Sequence, residues 1–197
     1  MEKFRTVAYE VHNPKIKNNV RFALLADLHG SIFGENNALL LEKIREYAPD
    51  AILLAGDMVV RMDPSTLDTA KTLLCTLAQT FPVFYSMGNH ESKMRAEGHV
   101  YQNEYLEYEA ELKKCGICFL TNEKTEVILA GNPFVINGLE LPLEYYHKPF
   151  SPALTAGKMA ELMGKPVSGA VNILLAHNPK YGKTYFNWGA DLILSGH

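Results

Sequence analysis

Five short apolar segments recur along the chain, and each runs directly into polar residues that could bind a metal. They comprise residues 20–26, 51–55, 82–87, 171–176 and 191–195. Continuous apolar runs of this length are typical of strands that are covered on both faces, as in the centre of an α/β sheet. Helical patterns lie between the runs, so the order of elements predicts a largely parallel sheet with right-handed crossovers.

Four helices and a second group of strands are expected around these runs. In the first helix, apolar side chains share one face over residues 40–48, and Pro49 ends the helix. Asp63 and Pro64 are typical of a helix start, with Asp63 as the capping residue. The other predicted helices cover residues 104–114 and 153–163, β-like segments cover 117–120, 126–130 and 134–139, Gly131 and Asn132 form a turn, and 140–152 form a loop. The change of pattern after residue 117 predicts a second sheet or a mixed edge.

The charge of the chain excludes one broad class of function. The sequence has 19 Lys+Arg and 22 Asp+Glu residues, a net charge of −3. It therefore lacks the positive field that would hold nucleic acid or an anionic membrane, and phosphate binding has to be local. No segment has the roughly 20 uninterrupted apolar residues of a membrane helix, and nothing marks the N-terminus for export, so we expect a soluble cytoplasmic protein.

Cysteines offer a weaker signal. Cys75, Cys115 and Cys118 are expected to be free thiols, which is consistent with a reducing compartment. The spacing of Cys115 and Cys118 matches a redox or zinc CxxC motif. No second pair accompanies it, and small apolar residues are expected at this helix end and strand start, so a structural role is the simpler interpretation.

The polar residues that follow the five runs are suited to binding metal. Ligands bind in open α/β sheets beyond the carboxyl ends of the strands, which is where these side chains would converge. The candidates are Asp27, His29, Asp57, Asn89, His177 and His197. Asp27 and His29 would point to one side if the chain stayed extended there. Six oxygen and nitrogen donors suit two borderline divalent ions bridged by a carboxylate, and Asp57 on its Gly-Asp turn is the natural bridge.

These residues resemble the signature of the calcineurin-like metallophosphoesterases. The matching elements, in the order of the family, are Asp27-Leu28-His29, Gly56-Asp57, Gly88-Asn89-His90-Glu91, His177 and Gly196-His197. The resemblance implies a four-layer α/β/β/α sandwich of two mixed β-sheets flanked by helices. It also implies that Asp27 and His29 bind a first metal, that Asp57 bridges, and that Asn89, His177 and His197 bind a second metal. His90 would not be a ligand but would assist the leaving group.

The implied activity is hydrolysis of a phosphomonoester or phosphodiester. Two divalent ions (Mn, Fe, Zn or Co, with Mn the first choice in vitro) would attract the phosphate and lower the pKa of a bound water. The resulting metal-bound hydroxide would attack phosphorus while a protonated His90 stabilises the departing oxygen. A phosphate ester of unknown identity is thus the expected partner of the site.

The sequence departs from the family at its last motif, where Gly-His-x-His stops at His197. Residues 1–197 are therefore expected to form a single domain that is incomplete at its C-terminus and lacks its last strands. This departure leaves open a second function, a weakly active or non-catalytic binding protein with an incomplete metal site. Capping of backbone groups would explain any one of the polar residues, but a buried cluster of Asp and His without a metal would be costly.

Several other polar residues carry no clear signal. His12, His99 and His147 have no partners at ligand spacing and are expected to be ordinary surface or core residues. Arg61, together with Tyr145, Tyr146 and His147 in the proline-rich loop, could contact a substrate. A solvated loop is the simpler interpretation of these residues.

Overall fold

All five apolar runs form strands, and the strands are divided between two sheets. The computed structural model describes residues 4–147 and 149–197. The first sheet contains, in spatial order, β1 (Phe22–Leu25), β2 (Ala51–Ala55), β3 (Val83–Ser86) and β4 (Cys118–Phe119), all parallel. The second contains β5 (Glu123–Leu129), β6 (Asn132–Leu139), β7 (Val171–Ala176) and β8 (Leu192–Leu194). Strands β5 and β6 are antiparallel and the other pairs are parallel, so this sheet is mixed.

The apolar runs differ in how deeply they are buried. Every residue of β2, β3 and β7 is buried, as expected for central strands. Strands β1 and β8 are only partly buried, and Leu24 in β1 is 41% exposed. The expectation that runs 20–26 and 191–195 are covered on both faces is therefore wrong. Both strands lie at sheet edges, and an apolar run does not reveal which neighbours a strand will have.

A tight hairpin joins β5 to β6. Ala130 and Gly131 both have positive φ angles (48° and 76°), as in a two-residue hairpin turn whose twist matches the strands. The observed turn thus lies one residue earlier than the predicted one, and Asn132 begins β6. Its side-chain oxygen accepts hydrogen bonds from the backbone N–H groups of Lys17 (2.7 Å) and Asn18 (3.2 Å), which holds the segment before β1 against the second sheet.

In the described part of the chain, six α-helices pack on the outer faces of the sheets. They are α1 (Ala38–Tyr47), α2 (Ser65–Ala78), α3 (Asn89–Arg95), α4 (Gln102–Lys114), α5 (Ala156–Met163) and α6 (Gly182–Trp188). Asp63 accepts a hydrogen bond from the Ser65 N–H at 3.1 Å, so it caps the start of α2 as predicted. The sequence pattern missed α3 and α6, because seven residues are too few to show a helical period. None of the helices in the described ranges is long and apolar enough to cross a membrane.

Three apolar clusters separate four layers. One cluster joins the first sheet to its helices and includes Leu54, Leu74 and Leu112. A second lies between the sheets and includes Leu53, Phe84 and Ile173, and a third joins the second sheet to α5 and α6. Neighbouring residues of β2 face opposite clusters because side chains alternate along a strand. The order is therefore helix, sheet, sheet, helix, and the α/β fold with two sheets flanked by helices is confirmed.

A disulfide bond contradicts the expectation of three free thiols. Cys75 on α2 is bonded to Cys115, which directly follows α4, and Cys118 alone is a free thiol. The bond also excludes a CxxC pair between Cys115 and Cys118, and it removes the argument for a reducing compartment that rested on free cysteines. The two bonded residues are 40 positions apart, so only the packing of α2 against α4 reveals the pair.

An ion pair holds the N-terminal segment against the second sheet. The Asp191 carboxylate lies 2.7 Å from Nζ of Lys15 and also accepts a hydrogen bond from the Asn172 N–H at 2.8 Å. Burial opposes a charge on Asp191, but these donors outweigh it and hold the pKa of Asp191 below its usual value.

The predicted loop at residues 140–152 contains a 3₁₀ turn at Leu143–Tyr146. Lys148 within this loop lies outside the described residues.

Candidate metal centre

The candidate ligands come from both sheets. Asp27 follows β1, Asp57 follows β2 and Asn89 begins α3 after β3, all at the carboxyl ends of the first sheet. His177 and His197 follow β7 and β8 of the second sheet. The side chains therefore do not form one row along a single sheet. They meet where the carboxyl ends of the two packed sheets lie together.

The loop after β1 is bent, although it was expected to be extended. Asp27 (φ 53°) and His29 (φ 49°) both have left-handed backbones. Their N–H groups donate to the carbonyls of Gly56 and Asp57, each at 3.0 Å, so this loop stays paired with the loop after β2. The Asp27 carboxylate still lies 3.8 Å from Nε2 of His29. The two side chains are therefore adjacent, as expected, although the chain between them is bent rather than extended.

Backbone strain is concentrated at these positions. Nine non-glycine residues in the described ranges have positive φ, and four of them are the candidate ligands Asp27, His29, Asp57 (φ 54°) and His197 (φ 72°). Such conformations cost free energy and persist only where the surrounding structure enforces them, which is commonly at functional sites.

Asp57 lies at the centre of the cluster and is 2% exposed. Its Oδ2 atom is 3.0 Å from Nε2 of His177, and its Oδ1 accepts a hydrogen bond from the His90 N–H at 2.9 Å. Burial alone would raise the pKa of Asp57, but the adjacent His177 and the His90 N–H outweigh burial and lower it to about 2. The carboxylate is therefore ionised at neutral pH and needs no deprotonation before it binds a cation.

His177 is oriented by the strand next to it. Its Nδ1 lies 2.7 Å from the Ala55 carbonyl, which can only accept, so the neutral ring carries its proton on Nδ1. The buried Nε2 faces Oδ2 of Asp57, 3.0 Å away, with a lone pair in the neutral ring or with a proton in the charged ring. Burial opposes a charge on His177, but the Asp57 carboxylate outweighs burial and raises the pKa of His177. Both observations indicate that positive charge is favoured between these side chains.

Asn89 contributes a buried oxygen that is not satisfied. Its Oδ1 has no hydrogen-bond partner among the described residues, although the residue is buried and only 6% exposed. An unsatisfied buried oxygen is costly, and one that shares a cluster with an ionised carboxylate and an imidazole nitrogen fits a cation that coordinates all three. The donor set of oxygen and imidazole nitrogen suits Mn, Fe, Zn or Co, so the residues present fit the divalent metals expected from the sequence.

Among residues 4–147 and 149–197, two groups of side chains have atoms close enough to share a metal. One consists of His29, Asp57 and His90, and the other of Asp57, His177 and His197, with the possible ligand atoms of each group within 4.8 Å of one another. Asp57 belongs to both groups, which is the position a bridging carboxylate would occupy. Asp27 lies outside these groups but remains 3.9 Å from Nε2 of His177.

His197 is placed by its backbone as well as by its ring. Its N–H donates to Oδ2 of Asp27 at 2.8 Å, and its ring lies 5.3 Å from that of His177, centroid to centroid. Tyr146 covers the same two imidazoles from the proline-rich loop, with ring distances of 6.2 and 5.7 Å. Tyr146 therefore borders the cluster, whereas its neighbour Tyr145 is buried and His147 is exposed.

Glu91 organises the loops beneath the ligands, a role that the sequence did not reveal. This fully buried carboxylate accepts hydrogen bonds from the N–H groups of Asp57 (2.9 Å), Met58 (2.6 Å) and Gly88 (3.0 Å), and from the Tyr85 hydroxyl (2.9 Å). Burial and the nearby charge of Asp57 raise the pKa of Glu91 to about 7, while the hydrogen bonds oppose that rise. Glu91 thus joins the Gly-Asp loop to the start of α3.

Two glycines allow these loops to approach each other. A Cβ at Gly88 would lie 2.2 Å from Oδ1 of Asp57, and a Cβ at Gly56 would lie 2.5 Å from the Gly88 backbone and 2.9 Å from Nδ1 of His177. Gly56 also has φ +87°, which favours glycine. Any side chain at either position would displace Asp57 or His177 from the cluster.

A main-chain hydrogen bond determines which ring nitrogen of His90 carries the proton. Its Nδ1 accepts a hydrogen bond from the Arg61 N–H at 3.0 Å, so the proton of the neutral ring lies on Nε2. Burial lowers the pKa of His90, nearby positive charges add to that effect, and the Asp57 carboxylate opposes it. This shift favours the neutral ring, in which Nε2 is a hydrogen-bond donor. Its ring lies 4.9 Å from that of His29.

Comparisons with known proteins agree with this geometry. A family model described as calcineurin-like phosphoesterase matches residues 20–197. An uncharacterized metallophosphoesterase of Campylobacter jejuni is 28% identical over 193 residues, which cover 95% of this chain and 46% of that protein. The phosphodiesterase YaeI of Escherichia coli is 28% identical over 183 residues, covering 90% of this chain and 59% of that protein. The chain thus spans about half the length of these curated relatives.

Solved structures are similar in fold. The phosphopantetheinyl hydrolase PptH of Mycobacterium tuberculosis has a TM-score of 0.56 at 16% identity, with 90% of this chain and 82% of that chain covered. The NAD nucleotidase NadN of Haemophilus influenzae has a TM-score of 0.52 at 15% identity, with 90% and 38% covered. At these identities the likeness concerns the fold alone.

Proposed function

Because the chain belongs to the calcineurin-like phosphoesterase family, we propose that it hydrolyses a phosphate ester at the edge where its two sheets meet. The observation that carries this proposal is Oδ1 of Asn89, a buried atom without a hydrogen-bond partner among the described residues, in one cluster with the ionised Asp57 and the buried Nε2 of His177. A purely structural cluster would leave this oxygen unsatisfied at a cost of about 1–3 kcal/mol.

We propose two metal positions that share Asp57. Asp27, His29 and Asp57 would hold the first ion, and Asp57, Asn89, His177 and His197 would hold the second, with manganese as the first choice in vitro. When bound, two divalent ions supply positive charge for the phosphate and a water of lowered pKa. The ionised Asp57 and the lone pair on Nε2 of His177 are prepared for this role before any ion arrives.

The proposed role of His90 is to donate a hydrogen bond to the leaving oxygen. Hydrolysis joins a water oxygen to phosphorus, breaks the bond from phosphorus to the leaving oxygen, and leaves a proton on that oxygen. The N–H of Arg61 occupies Nδ1 of His90, so Nε2 is the atom that can donate. A neutral donor in this position avoids placing a full positive charge beside the proposed metals.

The test is hydrolysis of p-nitrophenyl phosphate and bis(p-nitrophenyl) phosphate by the manganese-loaded protein. We expect turnover that stops on chelation, and a 10²–10⁴-fold lower kcat in His90→Asn. The His90→Asn protein should keep the same metal content, which separates donation from metal binding. The matched control is His147→Asn, an exposed histidine outside the cluster, which should behave like the unsubstituted protein.

Failure would favour the second function. Protein that binds two metals per chain and turns over neither ester would be a binding protein that uses this fold. Protein that binds less than one metal per chain would contradict the metal centre itself. A His90→Asn protein with unchanged kcat would leave the metal centre intact but contradict the role of His90.

A further inference from the structure

A groove of about 370 Å³ opens beside His90. It is lined by Arg61, Met62, Lys93, Glu97, His99 and Leu143, among others. Arg61 and Lys93 supply positive charge, whereas Met62 and Leu143 supply apolar walls. The volume lies within the range of small-molecule sites, about 300–1,000 Å³.

The groove adjoins the candidate centre, because two of its lining residues, Arg61 and Lys93, are neighbours of His90. The Arg61 N–H donates to Nδ1 of His90, which places Arg61 directly behind that ring. Lys93 lies on α3 three residues after His90, so the two side chains leave the helix on the same face, one turn apart. A leaving group that starts beside Nε2 of His90 and runs along the ring toward Nδ1 would reach these two cations.

The two cations lack neutralising partners. No ion pair among the described residues involves Arg61 or Lys93. Burial and the positive charge of Arg61 lower the pKa of Lys93 and outweigh the opposing effect of the Asp57 carboxylate, so the two cations lie close enough to repel each other. Glu97 is the one carboxylate among the lining residues, so the groove keeps an excess of positive charge in a chain whose net charge is −3.

We propose that this groove binds a second phosphate, carried by the leaving group of the substrate. The preferred substrate is then a phosphate ester whose leaving group is itself phosphorylated. This inference rests on the proposed function, because it assigns the leaving side of the reaction to His90. Arg61 and Lys93 would form charge-assisted hydrogen bonds to the second phosphate, and the apolar walls would contact the linker between the two phosphates.

The test compares two esters with the same leaving oxygen. In 1,4-phenylene bisphosphate the leaving group carries a phosphate, and in 4-hydroxyphenyl phosphate it carries a hydroxyl. For the manganese-loaded protein we expect a higher kcat/KM on the bisphosphate. Arg61→Gln and Lys93→Gln should each lower kcat/KM on the bisphosphate about tenfold or more relative to their effect on the monophosphate.

Both substitutions leave the main chain intact, so the hydrogen bond from the Arg61 N–H to His90 is retained. The matched control is Lys114→Gln, an exposed lysine at the end of α4, which should not change the ratio between the two substrates. Equal losses on the two substrates would overturn the proposal, because the cations would then act only on the scissile phosphate. A lack of preference for the bisphosphate in the unsubstituted protein would also overturn it.

A binding measurement keeps this proposal separate from the proposed activity. Calorimetric titration with 1,4-phenylenebisphosphonate and phenylphosphonate, which are not hydrolysed, measures binding in the groove even if neither ester is turned over. We expect tighter binding of the bisphosphonate, with the difference reduced about tenfold in Lys93→Gln. Protein that hydrolyses neither ester but shows this preference would contradict the activity and support the groove. Equal affinities for the two phosphonates would overturn the groove whatever the activity.

Discussion

The imidazole Nδ1 of His177 lies 2.7 Å from the carbonyl oxygen of Ala55, the last residue of β2. A strand of the first sheet thereby fixes the proton position on a histidine of the second sheet. The opposite nitrogen is left as a buried acceptor 3.0 Å from Asp57. The basicity needed for metal binding is thus set by a main-chain contact between the two sheets.

Replacement of His177 by alanine should remove one metal position. We expect the manganese content, measured by elemental analysis after gel filtration, to fall by about one ion per chain, because Nε2 is a ligand atom that no neighbour replaces. His147→Ala removes an exposed imidazole and should leave the metal content unchanged. An unaltered metal content in His177→Ala would show that His177 is not a ligand.

Manganese should stabilise the folded chain through Asp57. At a free ion concentration about 100 times Kd, binding contributes about 2.7 kcal/mol to the free energy of unfolding. For a chain of this size that corresponds to a rise in Tm of roughly 5–10 °C, which thermal unfolding by circular dichroism would detect. Asp57→Asn should lose most of the rise, because Asp57 belongs to both groups of possible ligands. The same rise in both proteins would contradict a bridging Asp57.

Replacement of Glu91 by glutamine should destabilise the protein without removing any proposed ligand. The amide has one acceptor oxygen where the carboxylate has two, and its NH₂ group would face backbone N–H donors. We expect the free energy of unfolding in urea to fall by about 2–4 kcal/mol. Tyr85→Phe removes only one of the four donors and should cost about 1 kcal/mol. If Glu91→Gln costs no more than Tyr85→Phe, the hydrogen bonds to the loops do not stabilise the fold.

The ion pair between Lys15 and Asp191 should make part of the stability depend on acid pH. The pKa of Asp191 is lowered in the folded state, so its contribution is complete above the unfolded value, about 3.9, and is lost as the pH falls through the lower folded value. We expect Asp191→Asn to cost on the order of 1 kcal/mol or less between pH 5 and 8, after screening by solvent. The difference in unfolding free energy should shrink below about pH 4. A difference that is the same at pH 3 and pH 7 would exclude this linkage.

The overall class and the candidate ligands were predictable from sequence because both follow from local patterns. Apolar runs indicate strands, and polar residues at the carboxyl ends of parallel strands tend to meet. Asp57 and His177 could therefore be selected without any knowledge of the sheet to which each belongs. The role of Glu91 could not, because two of its partners, the main-chain N–H groups of Asp57 and Met58, are more than 30 positions away.

Other features were not predicted from the sequence for similar physical reasons. The disulfide between Cys75 and Cys115 depends on how two helices pack, and no spacing along the chain encodes it. The bent backbone at Asp27 and His29 arises from pairing with the loop after β2, so a local expectation of extended chain fails there. His90 illustrates the same point for chemistry, since its protonation depends on the Arg61 N–H and on burial rather than on the motif that contains it.

The division of the centre between two sheets also determines the order in which its residues can come together during synthesis. During synthesis, Asp27, Asp57 and Asn89 leave the ribosome well before His177, which lies 88 positions after Asn89. At about 5–20 residues per second, Asn89 waits roughly 4–18 s for His177, and Asp27 and Asp57 wait longer. Asp27, His29 and Asp57 follow strands of the first sheet, so they can meet early, whereas His177 and His197 join them only once the second sheet has docked. Under the proposed function, the second metal position would therefore be completed last, and metal binding there would report the docking of the second sheet.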